Sequence, residues 1–282
     1  MINNLFYSSY INRTIEDKSV MGRICFDILN QELIEKKENN EFCGVFIEGR
    51  NRPITSFEDF TSFKSFSIFS QYSYPVFLFL NENVAEVLTP ELVKKYRINI
   101  VKIKPLENLF QYSDFCINQL FKLIPEKFEN ILTFQPDGFL IKPGWEKFVT
   151  DNNFSYIGAA WRHWGGVMVE RNKEWHVFNE KRTNMANGAV SFRKRSKMLK
   201  ATNLLKKSHL KSEEIIEMGN ADYKPALEDL FYSYFLFCVL GEKPPTVEQS
   251  NQFVTDPCDW QDYSNKISFG VHCPKKINEW KK

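Results

Sequence analysis

Ile131-Leu132-Thr133-Phe134-Gln135-Pro136-Asp137-Gly138-Phe139 begins as an apolar run of strand character and stops at a lone aspartate followed at once by glycine. In α/β proteins ligands bind beyond the carboxyl ends of strands, so a carboxylate delivered there is placed to hold a metal ion or a sugar hydroxyl. The same residues also spell a turn, because Pro-Asp-Gly is favoured for backbone reasons alone. In isolation the turn is the simpler reading. The surrounding chain decides between the two.

Upstream, strands alternate with helices. Residues 19–40 carry Val20, Ile24, Ile28, Leu29 and Leu33 at helical spacing, followed by the strand Phe42–Ile47 and the polar loop Glu48–Pro53. A helix over 56–69 leads to Val76–Leu80, a continuous apolar run of the kind buried on both faces. Thr89-Pro90-Glu91 opens another helix, Asn99–Ile103 is a third strand, and a helix over 113–123 leads into the strand before Asp137. This alternation implies βαβ units and a mostly parallel sheet. After Asp137 the pattern changes. Tyr156–Trp161 and Ala189–Phe192 read as short strands separated by an irregular segment rich in Gly, Trp and charge. A structureless loop of that length usually binds substrate or is disordered. Helices over 194–207 and 228–239 and a polar, Pro-containing tail complete the chain.

Composition narrows the function class. With 282 residues and 43% hydrophobic content the chain can bury the core of one large domain. A net charge of +2 gives no global basic field and no case for a nucleic-acid partner. The local cluster Arg193-Lys194-Arg195-Ser196-Lys197 reads as the solvated start of a helix. The six cysteines form no C-x-x-C pair and no zinc-ligand spacing, and several sit in apolar runs, which suggests a reducing compartment. The first residues lack the basic and apolar regions of a secretion signal. The most apolar stretch, Leu230–Leu240, falls far short of the roughly 20 residues needed to cross a bilayer. The expected location is therefore cytoplasmic, with no transmembrane segment and membrane contact at most peripheral. Trp145, Trp161, Trp164 and Trp175 cluster mid-chain, and aromatic faces suit sugar rings.

Four short patterns follow one another, beginning with the opening strand end: Gln135-Pro136-Asp137, Asn187-Gly188-Ala189-Val190-Ser191-Phe192-Arg193, Glu228-Asp229-Leu230-Phe231-Tyr232 and Phe269-Gly270-Val271-His272-Cys273-Pro274. Each has a plain structural explanation. Asn-Gly is a common hairpin turn, and paired acids favour a helix N-terminus. A single histidine such as His272 is more often a hydrogen-bonding residue than a metal ligand. Their joint order matches the parts list of a nucleotide-sugar transferase of the GT-A type. Such an enzyme needs an α/β half for the nucleotide and a carboxylate at a strand end for a divalent cation. It also needs a glycine turn that lets backbone approach a sugar, a carboxylate that takes the acceptor's proton, and a late histidine able to complete the metal shell.

On these residues the sequence resembles a glycosyltransferase-like family found in bacterial polysaccharide loci and large viruses. The resemblance rests on Phe134-Gln135-x-Asp137, Tyr156-Ile157-Gly158-Ala159-x-Trp161, Asn187-Gly188-x-x-Ser191-x-Arg193, Glu228-Asp229-x-Phe231 and Phe269-Gly270-x-His272, over roughly residues 42–275. Glu48 and Arg50 are similar to the carboxylate and arginine that end that family's opening strand. Ala189 stands where the family usually has a second glycine, Gly138 where a small polar residue is common, and Cys273-Pro274-Lys275 where a basic and Pro-Trp ending is usual.

The resulting expectation is an α/β, GT-A-like fold in a single domain over 1–282. Residues of about 40–137 form a Rossmann-like nucleotide-sugar half, about 138–275 a mixed acceptor and catalytic half, and 1–39 a helical extension. The expected function is transfer of a sugar from a nucleotide-sugar donor to a carbohydrate acceptor, as in polysaccharide biosynthesis. Asp137, helped by His272, would hold Mn2+ or Mg2+. Glu48, Arg50 and Gln135 would contact the nucleotide, Asn187 and Gly188 the donor sugar, and Trp161 would stack on a sugar ring. Asp229 would be the general base and Glu228 would orient the acceptor. Inversion is the expected stereochemistry, and the same carboxylates also suit a retaining route. The alternatives are a non-catalytic carbohydrate- or nucleotide-binding protein on the same scaffold, and a nucleotidyltransferase. The second is disfavoured by the short, single-glycine loop Glu48–Arg52.

Overall fold

The structure is a computed structural model that describes residues 41–50, 74–83, 93–94, 97–135, 138–140, 143–160, 167–171, 174–178, 186–207, 215–217, 227–255 and 268–272. At 139, 167–171, 174–178, 215–217, 271 and 272 it describes the backbone alone. The helices expected over 19–40, over 56–69 and from Thr89 lie outside the described residues, as do Asp137 and Trp161.

The strands β1 (Phe42–Glu48), β2 (Val76–Asn81), β3 (Ile98–Ile103) and β4 (Asn130–Phe134) pair in parallel, as their apolar runs predict. Next along the chain come β5 (Gly138–Leu140), β6 (Tyr156–Ile157), β7 (Val167–Arg171), β8 (Glu174–Phe178) and β9 (Val190–Lys194). The central sheet has six strands in the order β3-β2-β1-β4-β9-β6. β9 lies antiparallel to both β4 and β6, with Thr133 opposite Ser191 and Tyr156 opposite Arg193. The sheet therefore becomes mixed where the sequence pattern changes.

Strand alternation divides the core in two. Cys43, Val45 and Ile47 of β1 join Phe77 and Phe79 of β2 on one face. They pack on α1 (Leu109–Phe115), which continues through a π-helical stretch, Cys116–Leu120, into a last turn, Phe121–Leu123. On the other face Phe42, Phe46, Val76, Leu78 and Leu80 pack with Trp145 and Val149 of α2 (Trp145–Asp151). In β9, Val190 and Phe192 belong to this second face, which sends Ser191 and Arg193 towards the first. Also on the first face are α3 (Arg195–Lys207) and α4 (Glu228–Ser233), the latter running on into a π-helical stretch, Tyr234–Val239.

Several expectations need correction. α1 begins at Leu109, not at 113, because the Asn108 side chain caps it, accepting from the Phe110 and Gln111 N–H groups at 3.1 and 3.0 Å. The segment expected to be irregular between β6 and β9 contains the antiparallel hairpin β7–β8, and β10 (Ile215–Glu217) extends it to three strands. Within the stretch read as a polar tail, a capping box at Thr246 and Gln249 starts α5 (Val247–Phe253). β11 (Val254–Thr255) and β12 (Gly270–His272) follow, and β12 also pairs with β5. Trp145 is core: it is fully buried, with its ring edge-on to Phe42 and Tyr74. It therefore lends nothing to a sugar platform. No helix among the described residues is long and apolar enough to cross a membrane.

Candidate active site

The Asn187–Gly188 turn and the first turn of α4, 41 residues apart in sequence between Gly188 and Asp229, meet in one buried polar cluster. Asp229 Oδ2 accepts the Gly188 N–H at 3.2 Å, and Oδ1 accepts the Leu230 N–H at 2.8 Å. Beside it Glu228 Oε1 pairs with Arg193 Nη2 at 3.2 Å, while Ser113 of α1 exchanges hydrogen bonds with the Glu228 N–H and Oε2 at 3.3 and 3.5 Å. Arg193 also donates from Nε to Ser191 Oγ at 2.9 Å and from Nη2 to Gly188 O at 3.4 Å. Ser191 Oγ lies 2.7 Å from Thr133 Oγ1, the hydroxyl opposite it in the sheet. The result is a continuous chain from Thr133 through Ser191, Arg193 and Glu228 to Ser113, with Asp229 at its side.

The turn is fixed from both directions. Asn187 Oδ1 accepts the Ala189 N–H at 2.8 Å, which shapes the turn locally. The Asn187 N–H donates to Ala159 O, and Ala189 O accepts the Gln135 N–H, both at 2.8 Å. Just before the turn, Ala186 is held by Ser233 Oγ at its N–H and by the Tyr156 hydroxyl at its carbonyl. Gly158 is where β6 passes the turn, and a Cβ there would lie 2.1 Å from Asn187 O. The obstacle is backbone, so it cannot rotate away. Gly158→Ala is expected to displace the turn, with a lowered midpoint in urea denaturation and loss of any activity that depends on Asp229; a variant matching wild type in both would contradict this placement.

Electrostatics separate the two acids. Burial and the neighbouring Glu228 charge push the Asp229 carboxyl up to about 7, against the Gly188 and Leu230 N–H groups and Arg193, which pull it back. Glu228 has its carboxylate turned inward onto Arg193 and Ser113 and is only 3% exposed. For Arg193, burial works against the charge, but the surrounding groups, with Glu228 as the ionised one in contact, outweigh it, and the guanidinium holds its proton more tightly than in water. Its plane lies against two aromatic rings, Tyr156 at 5.4 Å and Tyr232 at 5.7 Å. Burial pushes the phenols of both tyrosines up, so they serve as neutral walls.

Of the other expected residues, Glu48, Arg50 and Gln135 lie at the carboxyl edge of the central sheet. Glu48 is buried at the end of β1, and its carboxylate accepts from the Arg50 N–H, Nε and Nη2 at 3.0, 2.9 and 2.8 Å. The Arg50 side chain is half exposed. Gln135, just past β4, donates from Nε2 to the Tyr112 hydroxyl at 2.9 Å. Its carbonyl accepts the Gly138 N–H at 3.0 Å. The β5–β12 pairing sets His272 opposite Gly138, the residue that follows Asp137. Among the described residues no group of three or more His, Cys, Asp or Glu is placed to hold a metal ion.

Arg193, Ser191, Ser113 and Tyr156 were given no site role from the sequence. Arg193 in particular had been read as part of a solvated basic cluster, whereas it is 1% exposed. The available signal was alternation: Val190-Ser191-Phe192-Arg193 puts apolar side chains on one face and polar ones on the other.

Comparison with known proteins agrees with this architecture. The model of the family described as "Protein of unknown function (DUF5672)" matches residues 95–272, well over half of the chain. The chain belongs to the DUF5672 family. That match takes in β3, the Asn187–Gly188 turn, the Glu228-Asp229 pair and His272, so the whole cluster around Asp229 is DUF5672 sequence. No curated protein matches. Among solved structures, the chain is similar to the galactosyltransferase LgtC, whose structure was determined in complex with donor and acceptor sugar analogs. The TM-score is 0.52 at 11% identity, over 81% of this chain and 86% of that one. At that identity the likeness is one of fold. This DUF5672 protein has the GT-A glycosyltransferase fold, a mixed α/β architecture around a six-stranded sheet.

Proposed function

We propose that this protein transfers a sugar from a nucleotide-sugar donor to a carbohydrate hydroxyl, with Asp229 as general base. The observation that carries the reading is the state of Asp229: a buried carboxyl, held by two backbone N–H groups and pushed up to about 7. A base is most effective when its pKa lies near the working pH. In the reaction the acceptor oxygen attacks the anomeric carbon and its proton passes to an Asp229 carboxylate oxygen. The bond from the anomeric carbon to the diphosphate oxygen breaks, and a nucleoside diphosphate leaves. A single displacement of this kind inverts the anomeric centre; a retaining route would use the same carboxylates in two steps.

The donor is assigned to the carboxyl edge of the sheet, where Glu48, Arg50 and Gln135 lie, and its sugar to the Asn187–Gly188 turn. Trp161 would stack on a sugar ring. Asp137 and His272 would hold Mn2+ or Mg2+; the residue after Asp137 lies opposite His272 across the β5–β12 pairing, which fits that assignment. When bound, the ion would offset negative charge on the diphosphate. The nucleotide half is assigned to residues of about 40–137 and the acceptor half to about 138–275.

A thermal-shift screen of UDP-, GDP- and CMP-sugars, with and without Mn2+, tests the reading. One nucleotide class is expected to raise the unfolding temperature, and more so with the metal, because a ligand that binds only the native state stabilises it. No response to any class would remove the nucleotide-sugar reading. A response without turnover on any carbohydrate acceptor would make the protein a binding module on a transferase scaffold.

A further inference from the structure

We infer that Arg193 is a positioning residue for Asp229, acting through Glu228 and the Asn187–Gly188 turn. The inference deepens the assignment of Asp229 as base and rests on that reading for its functional meaning. Three pieces of chain must meet for Asp229 to be held as it is: β9, the turn before it and the start of α4. Arg193 bonds to all three, through Ser191 Oγ, Gly188 O and Glu228 Oε1. It touches Asp229 through none of these bonds. Its effect is exerted on the groups that do: Gly188 supplies an N–H to Asp229, and Glu228 is its chain neighbour.

Stability alone gives a poor account of this arginine. Burying a guanidinium and a carboxylate together often stabilises a fold no better than apolar side chains of the same size would. Here, in addition, the Arg193 Nη1 is buried with no hydrogen-bond partner among the described residues, an arrangement that costs free energy. Flanked by Tyr156 and Tyr232, the site has the aromatic walls to hold an apolar residue instead.

The electrostatic consequence follows from what faces Asp229. Glu228 lies beside it on α4, Arg193 faces it from β9, Tyr156 from β6 and Cys116 from the stretch after α1. Both tyrosine and thiol are held neutral by burial, so among the described residues the charges that act on Asp229 are Glu228, which favours its protonated form, and Arg193, which opposes it. Pairing Arg193 with Glu228 sets that balance with a fixed geometry. The fork matters as well as the charge, because a lysine ammonium cannot reach three acceptors from one planar group.

The test reads the Asp229 proton directly. Protein labelled with carboxyl-13C aspartate is titrated by NMR, and the Asp229 signal is identified by its loss in Asp229→Asn. The wild-type midpoint is expected at about 7. In Glu228→Gln it should move to lower pH by about one unit or more, and in Arg193→Lys to higher pH, because the cation is drawn away from the pair. With the donor class found by thermal shift, Arg193→Lys should also lower kcat by about 10²-fold while the donor KM changes little, as expected when a catalytic group is misplaced. Should Arg193→Lys fail to fold, Ser191→Ala takes its place, because it frees Nε without changing any charge; the same upward movement is expected. Midpoints within about half a pH unit of wild type in these variants would overturn the inference. Turnover is scored separately. If Asp229→Asn is still an active transferase, the base assignment fails whatever the titration shows. If Asp229→Asn is inactive while Arg193→Lys matches wild type in midpoint and kcat, only the role of Arg193 is lost.

Discussion

Gly188→Ala is expected to remove activity and to lower the stability of the fold by about 3 kcal/mol or more. A methyl group at this position would lie 2.5 Å from Glu228 Oε1, 2.9 Å from Arg193 Nη2 and 3.2 Å from the Asp229 Cβ. No rotamer of the new side chain exists to relieve this, so relief must come from the neighbours. Glu228 is pinned by Ser113 and Arg193, and Arg193 is pinned by Ser191 and two aromatic rings. Shifting either acid or base leaves a buried charge without its partner, the most destabilising outcome open to the site. Urea denaturation should show a lower midpoint with an unchanged slope, and nucleotide-sugar turnover should disappear. A variant with wild-type midpoint and turnover would mean that the glycine has room it does not have in this structure.

Asp229→Asn carries the second large effect. Turnover is expected to fall by about 10²–10⁴-fold, the range a general base contributes, while stabilisation by the donor nucleotide-sugar persists. The same variant has a pH signature that needs no substrate. Asp229 goes from an ordinary value of 3.8 in the unfolded chain to about 7 in the folded one. Below about pH 4 it is protonated in both states and adds no pH dependence. Between about 4 and 7 the unfolded chain has released this proton and the folded chain retains it, so rising pH favours unfolding. Above 7 both forms are ionised and the difference is constant. Wild type should therefore lose stability relative to Asp229→Asn as pH climbs from about 4 to 7, by roughly 1.4 kcal/mol per pKa unit of the shift, and then run parallel to it. Parallel curves across the whole range would show that the carboxyl is not shifted. Loss of turnover with that result would leave Asp229 essential but unsuited to act as a base near neutrality.

The sequence was most legible where one local rule governed a segment. β1 and β2 are apolar runs buried on both faces, β3 is a partly exposed edge strand, and all three stand where the pattern puts them. Asn187-Gly188 and Glu228-Asp229 were each explicable as a turn and a helix start, and both are that; the fold then brings them into contact. Less legible was anything set by a partner remote in sequence. Arg193 sits in a run of basic residues that outweighs the alternation of Val190–Arg193, and the pairing of β9 with β4 and β6 is what buries its face of the strand. Ser113 looks like an ordinary polar residue in a helix until Glu228, 115 residues later, exchanges hydrogen bonds with it. The pair β7–β8 was hidden because the tryptophans, charges and glycines of the segment between β6 and β9 suggested a binding loop more strongly than the alternation within it suggested strands. Asp137, where the reading of the chain began, and Trp161 keep the status of proposals.

The wide turns after α1 and α4 make the site sensitive to chain length. Both helices that furnish the cluster, one with Ser113 and one with Glu228 and Asp229, pass within a few residues into π-helical stretches, Cys116–Leu120 and Tyr234–Val239. A π turn holds one residue more than an α turn, and such turns are rare and concentrate at functional sites. Deleting one residue from 234–239 would let that helix close up as a regular one with its flanks still in register, whereas deleting a second would swing every side chain upstream by about 100° around the axis relative to those downstream. The apolar anchors beyond the deletion and the acids before it could not both keep their places. In this segment changes of length beyond that one residue are forbidden for a reason separate from side-chain identity, and a helix shortened by two residues but composed of the same residue types would still carry its carboxylates to the wrong side.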